Sequence, residues 1–502
     1  MKIILPTLFL LLAFFSVRAQ SYRQFVKISD KESDNEILLK AANLVPAKRQ
    51  LSWQKMELTA FIHFGINTFT DREWGKGDES PALFNPTKLD ARQWTKVCKD
   101  AGMKLVMITA KHHDGFCLWP SKFTEHSVKN SPWKNGNGDV VKELADACKE
   151  MNLKFGVYLS PWDMHEETYG TDAYNDYYVN QLTEFLTEYG KVEEVWFDGA
   201  CGEGPNGKKQ IYDWERYYQT IRNLAPEAVI AITGPDVRWV GTESGYGRDT
   251  EWSVVPVAYQ NQDLIAERSQ QKEGLFRPKV KPTSEDLGSR YKLFKSNELV
   301  WYPSEVDVSI RPGWFYHQNQ DEKVKSVNKL LDIFYCSVGK NSLLLLNLPP
   351  DKRGLIHEND VLTLQRWREK LDKTFSLNLL RGAKVFNGGA EINSIVLVDG
   401  ELSTSITVEN KGKRIVEFHL KEAKTFDLVC LQENINVGQR VEEFNVEAEI
   451  NESWKTIGTG TTIGYKRILR VDPVTTTKLR LVISQSRLTP ELSEFGIFKQ
   501  AE

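Results

Sequence analysis

The sequence predicts an α/β fold, a (β/α)8-like barrel followed by an antiparallel β-sandwich domain, on three observations. Apolar runs that each end in polar or aromatic residues recur about eight times through the first two thirds of the chain. Stretches with the apolar spacing of a helix, near 3.6 residues, lie between them. Beyond Pro350 the pattern changes to short β-type runs separated by Gly, Asn and Lys turns. Strands alternating with helices imply a parallel sheet, because parallel neighbours need a crossover. That many alternations suit a closed barrel better than an open doubly wound sheet, and neither G-x-G-x-x-G nor G-x-x-x-x-G-K-[ST] argues for nucleotide.

The strand-like runs are, in order, 57–70, 104–113, 154–162, 195–199, 228–233, 239–243, 298–302 and 342–348. Helix-like spacing covers 91–101, 140–151, 174–189, 214–224 and 324–336. The region 249–297 is long and polar and resists assignment, and a long loop there would form a wall of the active site. In such a barrel the chemistry belongs at the C-terminal rim.

A chain of 502 residues exceeds one ordinary core, so two domains are expected. Residues 1–19 read as a signal peptide: Lys2, an apolar run, then Val17-Arg18-Ala19. The run is too short to span a membrane and no Cys follows the cleavage point, so the expectation is an exported protein, periplasmic or secreted, without stable membrane insertion. The barrel is expected over 20–355, a linking amphipathic helix over 356–378 and the β-sandwich over 379–502, with strand-like runs at 395–398, 405–408, 415–420, 425–431, 444–450 and 479–484. With 65 basic against 68 acidic residues the net charge is −3, which leaves no electrostatic footprint for nucleic acid. The six cysteines lack C-x-x-C spacing and are expected to be free and buried, with neither a zinc site nor a disulfide framework.

Val195-Trp196-Phe197-Asp198-Gly199 is the most informative stretch, a short buried strand that delivers one carboxylate at its C-terminal end. The following Gly lets the backbone turn away while Asp198 stays directed at the pocket. An isolated F-D-G is equally compatible with a helix cap or turn; recurrence of the same design on the other strands favours a catalytic role. Of only eight histidines, His63, His112 and His113 fall at strand ends on one rim. Adjacent strand residues point to opposite faces, so His112 and His113 are not expected to chelate one ion unless the strand has already ended, and hydrogen bonding to substrate hydroxyls is the simpler role. Fourteen tryptophans, several beside strand ends (Trp74, Trp119, Trp162, Trp196, Trp252, Trp301, Trp314), suit a sugar site, where indole faces stack on C–H faces; filling core and loop contacts is the competing role for each.

Phe61-Ile62-His63-Phe64-Gly65, Lys111-His112-His113-Asp114-Gly115-Phe116, Val195-Trp196-Phe197-Asp198-Gly199 and Arg311-Pro312-Gly313-Trp314-Phe315 together resemble the signatures of glycoside hydrolase family 29, the retaining α-L-fucosidases, over roughly residues 54–350. The resemblance implies a fucose pocket at the rim of the barrel, a C-terminal β-sandwich, and no metal or organic cofactor. It implies Asp198 as nucleophile, His63, His112, His113, Glu73, Trp74 and Tyr158 as sugar-binding groups, and Trp196 and Trp314 as pocket walls. The 239–247 and 251–253 segments resemble the branch that cleaves α-1,3 and α-1,4 fucosyl linkages, which implies Glu243 as general acid, with Glu251 as the alternative.

The implied chemistry is double displacement: Asp198 attacks the anomeric carbon, while Glu243 protonates the leaving oxygen and then deprotonates water. The substrate would be a fucosylated oligosaccharide or glycan. Two rivals stay open at this point, a retaining glycosidase for another sugar and a non-hydrolytic carbohydrate-binding protein that kept the pocket.

Overall fold

A computed structural model describes residues 24–269, 285–408 and 414–501. The signal-peptide reading and part of the 249–297 region lie outside them. Eight parallel strands build the barrel: β1 (Leu58–Ile62), β2 (Leu105–Lys111), β3 (Lys154–Leu159), β4 (Val192–Phe197), β5 (Val229–Ile232), β6 (Arg238–Trp239), β7 (Ser304–Ser309) and β8 (Ser342–Asn347). Ladders join them in the order β5-β4-β3-β2-β1-β8-β7-β6. Between β5 and β6 the ladder gives way to two bonds, from Asp236 and Val237 N–H to Ile230 O, both at 3.3 Å. All residues of β1, β2, β7 and β8 are buried, as strands covered on both faces must be.

The helices Ala91–Asp100, Val140–Glu150, Asp172–Glu188 and Trp214–Leu224 follow β1 to β4 in turn, and Val327–Ser337 precedes β8. Asp90, Asp139 and Asp213 cap three of them by accepting backbone N–H bonds. No helix separates β5 from β6.

One expected barrel strand is displaced. Glu298–Trp301 does not join the barrel; it sits in a small antiparallel sheet between Phe25–Lys27 and Val254–Pro256. The seventh barrel strand is Ser304–Ser309, just beyond Pro303. Leu299 and Trp301 form an apolar run because they pack on the helix Asp34–Asn43, outside the barrel. Ser304–Ser309 forms no such run because it carries two acids, Glu305 and Asp307.

Helix Glu358–Phe375 leads from the barrel to an antiparallel domain with its own core, including Phe418, Phe426, Phe444 and Phe495. Two long strands, Ile415–Glu433 and Arg467–Ser486, carry this domain, and bulges after His419 and Phe426 bend them so that each pairs with different partners along its length. The strand expected at 395–398 is a turn of 3₁₀ helix, Ser394–Leu397. Among the described residues, no helix is long and apolar enough to cross a membrane, and no group of three or more His, Cys, Asp or Glu side chains is placed to hold a metal ion. The cysteines are unbridged; Cys98, Cys117 and Cys148 are buried, whereas Cys201, Cys336 and Cys430 are half-buried because they sit in loop or interface positions.

Candidate active site

A pocket opens at the C-terminal ends of the barrel strands. Its lining brings together His63, Glu73, Trp74, His112, His113, Tyr158, Trp196, Asp198, Glu243 and Trp314, every site residue expected from the sequence. Phe61, Ala200, Ile232, Trp239 and Asp307 also line it, none of them a site residue expected from the sequence.

Asp198 stands one residue beyond β4. Its Oδ1 accepts the Ala200 N–H at 2.8 Å and its Oδ2 accepts the Tyr158 hydroxyl at 2.9 Å, which leaves the side chain about one-fifth exposed. Burial, then the Asp198 charge, pushes the Tyr158 phenol far above its usual pKa, so it remains a donor. Donors on both oxygens fix the carboxylate's orientation in the pocket.

The K-H-H-D-G-F motif divides its labour. Lys111 ends β2 with a buried ion pair to Asp163 at 2.8 Å and a bond to Gln181 at 2.9 Å. Because the strand stops there, His112 and His113 do not alternate across it; both face the pocket, with ring centroids 4.1 Å apart. Asp114 accepts the Phe116 N–H at 2.7 Å, closing the turn, and Gly115 has φ +77° with Asp163 Oδ1 2.5 Å from where a Cβ would stand.

Neighbouring bonds fix the imidazole tautomers. Asn347, the last residue of β8, donates its amide N–H groups to Ser309 Oγ and Trp314 O, so its Oδ1 is free to accept His63 Nδ1–H at 2.9 Å. Ser160 donates its hydroxyl to Trp162 O at 2.6 Å and therefore accepts His113 Nδ1–H at 2.8 Å. Both rings keep Nε2 as an acceptor, and that of His113 lies 3.8 Å from Asp198 Oδ2. A ligand hydroxyl between them meets two acceptors. Burial lowers the pKa of all three histidines, His63 to about 3, and mutual repulsion adds to it at His63 and His112, so the rings are neutral at ordinary pH.

The opposite wall comes from loops. Glu73 Oε2 accepts the Trp314 backbone N–H at 2.9 Å and its Oε1 pairs with His317 Nε2 at 2.6 Å. The Glu73 bond, and after it the Asp71 bond at 2.7 Å, raises His317 above the usual imidazole pKa despite burial, which makes it the cation between two carboxylates. Gly313 permits this approach, since a Cβ there would lie 2.3 Å from Glu73 Oε1. Glu243, on the loop after β6, accepts the Trp314 indole N–H at 3.2 Å. Trp162 packs on Trp74 at 5.6 Å and on His113 at 4.9 Å, behind the lining, whereas Trp119, Trp252 and Trp301 are core residues.

Glu251, the alternative acid, lies elsewhere. It is buried against Arg238 and Arg248, its Oε2 3.5 Å from Arg248, and its backbone is held by Thr462 and Gln439 of the C-terminal domain. It is an interdomain anchor and has no place in the pocket lining.

Comparison with known proteins agrees with this geometry. The family model described as Alpha-L-fucosidase matches residues 25–371. The chain belongs to the α-L-fucosidase family, and so to the glycoside hydrolases. It is 42% identical over 466 residues to Alpha-L-fucosidase 1 of Arabidopsis thaliana, covering 90% of this chain and 87% of that one. Among solved structures it resembles a putative α-L-fucosidase from Bacteroides ovatus, with 52% identity, a TM-score of 0.84, and coverage of 95% of this chain and 78% of the other. It also resembles a Ruminococcus gnavus family 29 fucosidase solved in complex with fucose, with 32% identity, a TM-score of 0.78, and coverage of 91% and 95%.

Proposed function

We propose that the protein is a retaining, exo-acting α-L-fucosidase that releases L-fucose from α-1,3- or α-1,4-fucosylated oligosaccharides or glycoconjugates after export from the cell. The observation that carries this reading is one pocket where, among four acidic side chains, Asp198 is bound by two donors and Glu243 stands against an indole, with three neutral histidines at the strand ends. Asp198 attacks the anomeric carbon as the bond to the leaving oxygen breaks, and Glu243 gives that oxygen its proton. Water then enters, loses a proton to Glu243 and displaces Asp198, so the configuration is retained. His63 and His113 accept sugar hydroxyls through Nε2, and Trp74, Trp196 and Trp314 give the C–H faces apolar cover. Glu73 and His112 complete the grip.

Support for the sugar comes from the fucose-bound neighbour, and support for the linkage from the 239–247 and 251–253 segments. Product analysis on a panel of fucosylated isomers, with a galactosyl oligosaccharide as control, is the test. Release of fucose from α-1,3 and α-1,4 isomers with the α anomer formed first is expected. Preference for α-1,2 linkages would overturn the linkage assignment, and galactose release or no turnover would overturn the sugar assignment.

A further inference from the structure

Four acidic side chains near the barrel axis each take an indole N–H. Trp53 donates to Glu194 Oε2 at 3.2 Å, Trp196 to Glu305 Oε1 at 2.7 Å, Trp239 to Asp307 Oδ1 at 2.8 Å, and Trp314 to Glu243 Oε2 at 3.2 Å. Glu305 and Asp307 are two apart on β7 and so face the same side, the barrel interior, with Asp307 nearer the rim. Glu194 reaches Glu305 from β4 across the interior. Glu194, Glu305 and Asp307 are buried, and Glu194 Oε1 and Glu305 Oε2 find no N–H or O–H donor in the protein. Glu194 and Glu305 bond to each other, and two carboxyl groups can do so only with a proton between them. A column of carboxyl groups therefore runs from Glu194 through Glu305 to Asp307, which lines the same pocket as Glu243 and feels its charge.

We propose that Asp307 is a positioning residue that shares a proton with Glu243 and keeps it available for the leaving sugar. This rests on the reading of Glu243 as the acid. Two like charges in one pocket, Asp307 buried and Glu243 half-buried, cannot both form cheaply, so the pair holds on to one proton where a lone carboxyl would have lost it. Burial above all, then the Glu243 charge and after it that of Glu305, drives Asp307 well above the usual carboxylate pKa, against the Trp239 indole. Burial also pushes Glu194, below it, up to about 8, against the Glu305 and Trp53 bonds and, after them, the Lys154 charge. The other groups around the pocket are Asp198, Glu73, Tyr158 and the three neutral histidines.

The balance over the first step favours this arrangement. The bond from Asp198 to the anomeric carbon forms, the bond to the leaving oxygen breaks, and the proton of the pair moves from Glu243 to that oxygen. The negative charge that Asp198 loses on becoming an ester reappears on the pair, so the total charge of the pocket is unchanged. The ionised pair is then a strong base for the incoming water.

Asp307→Asn keeps the shape and an acceptor for Trp239 while removing the second acid. The test is the pH dependence of kcat/KM for wild type and variant, on a fucosylated trisaccharide and on an aryl fucoside with an activated leaving group. On the trisaccharide the alkaline limb is expected to move acidward by about one pH unit, roughly a tenfold loss on that limb; on the aryl fucoside it should barely move. An unmoved limb, or an equal loss at every pH, would overturn the proposal. Should the variant be inactive, the infrared difference spectrum decides: wild type minus variant at neutral pH must contain a protonated-carboxyl band, and its absence refutes the shared proton. If wild type hydrolyses no fucoside, the functional reading fails while the infrared result still judges the pair.

Discussion

From β1 to β4 each barrel strand leads through a loop to a helix, three of the four capped by an aspartate, whereas between β5 and β7 that order breaks: β5 and β6 are joined without a helix, β6 has only two residues, and a long excursion precedes β7. The two halves supply different things to one pocket. The regular half contributes His63, His112, His113, Tyr158 and Asp198 at strand ends, where backbone ladders and side-chain bonds fix them. The irregular half contributes Trp239, Glu243, Asp307 and Trp314, two of them on loops. Side chains at strand ends are fixed by the backbone ladders, whereas Glu243, like the wall residues Glu73, Trp74 and Trp314, sits on a loop, where the chain is free to vary.

The largest effect expected is in the regular half. Asp198→Ala should lower kcat by several orders of magnitude with an unchanged circular dichroism spectrum, because the carboxylate's part is chemical. In the irregular half, Glu243→Gln should cost roughly 10²–10⁴-fold on a natural oligosaccharide, far less on an activated aryl fucoside, and should abolish the alkaline limb. Glu251→Gln makes the contrast. It unpairs two buried arginines, so thermal unfolding should show a loss of about 3–5 kcal/mol, with both substrates affected alike. Should Glu251→Gln instead mimic the loss of the acid, the assignment of Glu243 as the acid would be wrong.

Smaller effects sharpen the picture of the rigid half. His63→Ala and His113→Ala should each reduce kcat/KM by roughly 10–100-fold, about 1.5–3 kcal/mol of hydrogen bonding. Ser160→Ala leaves the His113 ring but removes the acceptor that sets its tautomer, so a fall of about fivefold is expected in the same assay. The neutral histidines also predict a pH dependence of stability. Their folded pKa values lie below the unfolded one, so protons are taken up on unfolding below about pH 6.5. Stability should therefore fall as pH drops from about 6.5 towards 3, by up to about 1.4 kcal/mol per pH unit for His63, as measured by urea unfolding.

The legibility of the sequence follows the same division. Strand ends in the regular half carry one-letter patterns that periodicity alone exposes, and Asp198 and the three histidines were visible there. β7 was not, because its inward positions are Glu305 and Asp307, and an apolar-run criterion rejects a strand whose interior face is acidic. Its place was given to Glu298–Trp301, whose apolar side chains pack outside the barrel. Asp307 escapes notice for the same reason. Adjacent strand residues point to opposite faces unless the strand has ended, and that exception holds here: β2 ends at Lys111, so His112 and His113 both face the pocket. The family resemblance favours Glu243 over Glu251, but the physical reason lies in tertiary packing, which places Arg238 and Arg248 around the latter.

The central claim is that Asp198, at the end of the rigid half, forms a covalent bond to the sugar. Incubation with 2-deoxy-2-fluoro-L-fucosyl fluoride, followed by proteolysis and peptide mass spectrometry, tests it most directly. The account predicts time-dependent inactivation and one deoxyfluorofucosyl group on the peptide that contains Asp198, with no label on Asp198→Ala. A label on any other carboxylate, or turnover of natural substrate with inversion and no adduct, would contradict it.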